Sequence, residues 1–126
     1  MLVQLMEVGD IPKDTGGAEK RSSARKRVHW RMLILLNAGE KKPGYVVDVS
    51  EGGMQLQSIH SFPTGSVLDV AVFVPDARKA GSYLPTRFQC KVAYQVLKGS
   101  EVVLGVAFVG AEDEALQRLR AAMNMS

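Results

Sequence analysis

The chain has 126 residues, one cysteine and a formal net charge of +3, with 46% of its residues apolar. That length and composition give a single globular domain whose core needs no metal or disulfide staple, and the lone Cys90 excludes an intramolecular disulfide framework and a multi-cysteine zinc site. No apolar run approaches the roughly 20 residues that span a bilayer, so membrane insertion is not expected.

Met1 to Met6 is apolar but has neither a basic n-region nor a long h-region, so the reading is a cytoplasmic protein without a secretory signal. Gly9, Asp10, Pro12, Asp14, Gly16 and Gly17 then predict a flexible lead-in over residues 1–18, with the folded domain at 19–126. The charge is concentrated just beyond. Residues 19–31 hold Lys20, Arg21, Arg25, Lys26, Arg27 and Arg31 against Glu19, a local +5 that leaves −2 on the rest of the chain. An anionic partner would meet this stretch and not the whole surface.

Strand periodicity follows. Val28, Trp30, Met32, Ile34 and Leu36 alternate with a second set that turns apolar towards its end. Asn37 to Gly44, with Gly39, Pro43 and Gly44, predicts a connecting turn. Tyr45–Val49 and Met54–Ser58 read as short strands around a Glu51-Gly52-Gly53 turn, and Val67–Val74 as a Val-rich strand after the Phe62–Gly65 turn. Beyond the polar loop 75–82, Leu84–Leu97 is long enough to require a bend or bulge. Lys98-Gly99-Ser100 predicts a hairpin turn into a strand at Val102–Val109. Glu112, Asp113 and Glu114 suit a helix N-terminus, Arg118 and Arg120 its end, and Leu116, Leu119 and Met123 share a face. Short strands punctuated by turns predict an all-β, small antiparallel barrel, with an N-terminal basic arm and a C-terminal helix packed on it.

Two segments carry chemistry. Arg21-Ser-Ser-Ala-Arg25 offers two guanidinium forks, each able to grip a phosphate or the O6/N7 edge of guanine. Asp48-Val-Ser50-Glu-Gly52-Gly53 follows 23 residues after Arg25. Asp48 is an acceptor for guanine N1–H and N2–H, and Ser50 can donate to a phosphate or accept from a base. Gly53 permits positive φ and close approach of backbone to a ligand. Arg27-x-x-x-Arg31 repeats the arginine spacing but lies inside the first strand and is set aside. His29 and His60 lack metal-ligand spacing, Trp30 reads as packing, and no catalytic constellation can be assembled, so neither a metal, a cofactor nor an enzymatic activity is expected.

These residues, in this order, resemble the PilZ domain family. Arg21-x-x-x-Arg25, then Asp48-x-Ser50-x-x-Gly53, then Leu104-Gly-Val-Ala-Phe108 match its pattern, and the resemblance covers residues 19–123. It implies a six-stranded antiparallel β-barrel and a bacterial receptor for cyclic di-GMP. Arg21, Arg25, Asp48, Ser50 and Gly53 would then be the binding set, with Lys20 and Gly52 auxiliary. Lys20 stands where many members carry a further arginine; it keeps the charge and loses the fork, which leaves ligand stoichiometry open. The arm would order on the ligand and signal to an unidentified protein in trans; homodimerisation is left open. Two alternatives stand beside this reading. A small barrel could bind nucleic acid through the basic arm and Trp30, disfavoured by the confinement of the charge. A PilZ-fold interaction protein could dispense with the nucleotide, disfavoured by the intact arginines.

Overall fold

In a computed structural model, residues 25–125 are described; the expected lead-in at 1–18, Lys20 and Arg21 lie outside them. Six strands run in chain order: β1 (Lys26–Leu35), β2 (Lys41–Val49), β3 (Gly53–Ser58), β4 (Val67–Pro75), β5 (Tyr83–Lys98) and β6 (Glu101–Gly110). A single 3₁₀ turn, Asn37–Gly39, joins β1 to β2, and helix α1 (Asp113–Met123) closes the domain. The strands form a closed antiparallel barrel in the order β1-β2-β3-β6-β5-β4, with β4 returning to β1.

Period-two patterning makes the barrel interior. Trp30, Met32 and Ile34 of β1 face inward, as do Leu68, Val70, Val72 and Val74 of β4 and Phe88, Cys90 and Val92 of β5. Phe88 is fully buried and stacks on Phe108 with ring centroids 4.9 Å apart. Burying a side chain of this kind stabilises the fold by about 1.5–3 kcal/mol. Trp30 belongs to this core, as expected, while His29 lies outside it and stacks on Tyr45 at 4.2 Å.

The segment Lys41–Gly44 is strand, not turn. Pro43 pairs with Leu33 of β1 on one side only: the antiparallel ladder with β3 stops at Tyr45–Gln57, so Pro43 stands at an unpaired edge on the β3 side. Gly44 is required by packing, since a Cβ there would lie 2.5 Å from both Gln57 O and Met32 Cε. Helix α1 also turns slightly from the expected face. Ala115, Leu119 and Ala122 are its buried residues, with Leu116 and Met123 half-buried beside them. The two alanines let the helix approach the barrel closely, with Leu119 as the shared anchor.

Cys90 has no exposed surface, and burial, assisted by the nearby negative charge of Asp69, pushes its thiol up to about 12. The thiolate is the reactive form, so the native protein should resist alkylation at pH 8 and react only on unfolding. Mass spectrometry after iodoacetamide, with and without denaturant, tests this; rapid labelling of the native protein would contradict it.

Candidate functional site

The turn between β2 and β3 is built by its own backbone. Ser50 N–H donates to Gly53 O at 2.9 Å, and Ser50 Oγ donates to the same oxygen at 3.4 Å. The turn is then fastened to β6, where Phe108 N–H donates to Gly52 O at 3.0 Å. Gly53 does not take positive φ. Its role is steric and directed at the protein: a Cβ would lie 2.2 Å from Val106 O, so only glycine lets β3 begin this close to β6. That corrects the expectation that the residue is there for positive φ. Gly52 has nothing within 4 Å of its would-be Cβ.

Asp48 sits at the end of β2, opposite Arg27 of β1 and Gln55 of β3. The register slips beside it on both sides, between Val46 and Asp48 and between Arg27 and Trp30. Such bulges re-aim a side chain relative to a regular strand. Asp48 Oδ2 accepts from Arg25 Nε at 3.3 Å. The aspartate side chain is 20% exposed and the arginine 54%, so this pair orients more than it stabilises. Asp48 Oδ1 is buried and has no hydrogen-bond partner among the described residues. A buried acceptor left unmade costs about 1–3 kcal/mol, and this one lies beside a cation.

Arg25, Ser50 and Gly53 border a shallow depression of about 210 Å³ together with Tyr94, Gly105 and Ala107. A larger depression, about 620 Å³, lies between α1 and β5. Its Arg118 is already engaged with Pro85 O and Glu114, each at 3.3 Å, and acidic and basic side chains alternate around it. The smaller one is where donors, acceptors and glycines converge.

The structure therefore brings together Arg25, Asp48, Ser50, Gly52 and Gly53. The remaining predicted site residues, Arg21 and Lys20, lie outside the described residues. Lys26 is withdrawn from the positive arm. Its Nζ donates to Met123 O at 3.0 Å and to Met125 O, where a cation complements the partial negative end of α1. Arg120 of the helix reaches Glu51 of the turn at 3.9 Å. Gly105 belongs to the Leu104–Phe108 segment noted in the sequence, but Tyr94 was not singled out; counting back from a two-residue turn at Gly99-Ser100 pairs 98 with 101 and 94 with 105, which would have placed them together.

A PilZ domain family model matches residues 19–124. No curated protein matches the chain. Among solved structures, the inhibitor of motility MotI/DgrA of Bacillus subtilis aligns with a TM-score of 0.70 at 14% identity, covering 84% of this chain and 50% of that one. The PilZ domain of YcgR from Escherichia coli with c-di-GMP aligns with a TM-score of 0.60 at 14% identity, covering 83% of this chain and 89% of that one. YcgR of Escherichia coli in complex with c-di-GMP aligns at 0.61 with 13% identity, over 81% of this chain and 43% of that one. The chain thus spans about half the length of the motility inhibitor.

Proposed function

The chain belongs to the PilZ domain family, and from that premise we propose that it is a receptor for cyclic di-GMP and not an enzyme. The observation that carries the reading is Asp48 Oδ1, a buried acceptor without a partner among the described residues, on the carboxylate that pairs with Arg25, and Arg25 itself borders the glycine-lined depression. The Watson–Crick edge of guanine presents N1–H and N2–H, the donors such an oxygen lacks. Arg25, half-exposed and within reach of the same carboxylate, can hold a phosphate or the O6/N7 edge while remaining near Asp48. Arg21 completes the cationic side from the arm, and Lys20 adds charge there. Ser50 and Gly53 keep the turn in shape, and Ser50 Oγ retains its acceptor capacity towards the ligand.

The related Escherichia coli domain with c-di-GMP supports this ligand class. Trp30 is buried, which removes the aromatic platform on which a nucleic-acid reading depends. In our reading the ligand bridges arm and barrel in the cytoplasm, orders the arm at residues 19–25, and so changes the surface offered to a protein partner. No helix among the described residues is long and apolar enough to cross a membrane.

Calorimetry with cyclic di-GMP tests the proposal. Arg21→Ala and Arg25→Ala are each expected to cost at least about 2 kcal/mol of binding free energy, because a charge-assisted contact is lost and an anion is left unpaired. A wild-type protein that does not bind, or two variants with unchanged affinity, would sink it.

A further inference from the structure

The barrel is stitched along only part of one seam. β1 pairs with β2 from Lys26 to Leu35, but its ladder with β4 runs only from Met32↔Val72 to Leu35↔Asp69. Past Val72, β4 goes on with β5 as its neighbour and ends on Pro75↔Tyr83. β1 and β4 therefore part at Met32. Over residues 27–31 the backbone groups of β1 that turn away from β2 meet no strand among the described residues, which leaves an open strand edge. The cleft at this opening, about 450 Å³, is lined by the buried Trp30, by His29, Arg31 and Tyr45 on the β1 side, and by Phe73 and Tyr83 on the other. Two of its aromatic side chains stand in solvent, Tyr45 at 40% and Tyr83 at 58% exposure. His29 and Tyr45 stack at 4.2 Å and within 14° of parallel, so that side is a preformed plate. The charge is one-sided. Arg27 and Arg31 are exposed on β1, and no acid lines the cleft. The single acids of β2 and β4, Asp48 and Asp69, are paired with Arg25 and Arg87.

We propose that this cleft takes an extended acidic segment of a protein partner, added as a short strand along the open edge of β1. Its carboxylates meet Arg27 and Arg31, and an apolar side chain between them sits among Tyr45, Phe73 and Tyr83. Main-chain bonds along an open edge supply affinity, and flanking side-chain pockets supply selectivity. Pro75 has no N–H to offer, so β1 and not β4 is the edge that templates the segment. The arginines repel a basic segment and favour an acidic one. Single-stranded nucleic acid is the competing occupant, because aromatic rings beside arginine also suit bases. The inference stands apart from the nucleotide reading, and its test uses no cyclic di-GMP.

A displayed library of random dodecapeptides, panned on the wild type and counter-selected on Arg31→Glu and Tyr83→Ala, tests the proposal. Both side chains are exposed, so the two variants should melt as the wild type does. Peptides that alternate acidic with apolar residues should be enriched on the wild type. They should bind each variant about ten-fold more weakly or worse, the size of a lost interface anchor or a reversed charge. A synthetic copy of an enriched peptide should shift the amide resonances of residues 27–31 and 83. N-methylating alternate peptide bonds of that copy should abolish binding for one set of bonds and spare it for the other, because only one side of an added strand faces β1. Absence of enrichment, enrichment of peptides without acids, equal binding to the variants, or indifference to both methylated sets overturns the proposal. An oligothymidylate that shifts the same resonances more strongly than any enriched peptide also overturns it and makes the cleft a nucleic-acid site. Each of these failures leaves the nucleotide reading standing.

Discussion

Asp48→Ala is expected to weaken cyclic di-GMP binding by at least about 2 kcal/mol, roughly thirty-fold, while leaving the fold as stable as before or more so. The two halves of that expectation come from one atom. Asp48 Oδ1 is buried without a partner among the described residues, and within them it is a desolvated acceptor. Alanine removes that burden, worth about 1–3 kcal/mol for an unsatisfied group. It also removes the half-exposed contact to Arg25, worth at most about 1 kcal/mol. The balance leans towards stability without ligand and strongly against it with ligand. Thermal melts and calorimetry on the same preparation check both halves. A variant that melts several degrees lower and binds normally would show that Asp48 serves the barrel and not the nucleotide.

Gly53→Ala is expected to act in the opposite manner, through the fold. The added methyl would meet Val106 O at 2.2 Å and the Val106 carbonyl carbon and Ala107 Cα at 3.2 Å. All three are backbone atoms of a paired strand, so no rotamer change relieves the clash. Overpacking of this kind costs about 3 kcal/mol when the surroundings cannot yield, which for a domain of this size lowers the melting temperature by roughly 10 °C. Gly52→Ala is the natural control, because the space around it is open. Urea denaturation of the two variants side by side gives the comparison. A Gly53→Ala loss below about 1 kcal/mol would mean that β3 and β6 separate easily at the turn.

Much of this arrangement was legible in the chain because its signals are local. The Val-rich run at 67–74, the hairpin around Gly99 and the charge-ordered helix at 113–123 each announce themselves within a dozen residues, and all three appear where expected. Arg25, Asp48, Ser50 and Gly53 were singled out from spacing and residue type, and the structure brings them to one turn. What escaped depends on distant neighbours. Pro43 and Gly44 look like turn formers until pairing with β1 makes them strand residues, with β3 ending short of them on the other side. Gly53 looks like a flexible turn position until β6 is laid against it. Lys26 looks like one more charge of a basic arm until the end of the helix, 97 residues later, arrives above it. Tyr94 has no motif at all, and its relation to the site comes only from the pairing of β5 with β6.

The Lys26 contact has a practical side. Arg25 turns to Asp48 and its neighbour Lys26 holds the last carbonyls of the helix, so Arg25, Lys26 and the end of α1 are moored to the same corner of the barrel. Whatever is joined behind Met125 emerges next to Lys26 and Arg25. A tag or fluorescent protein placed there would crowd the Arg25–Asp48 pair, where we propose that the ligand enters. A probe on the far rim, at the Gly99 hairpin, reports on the domain without standing in its doorway.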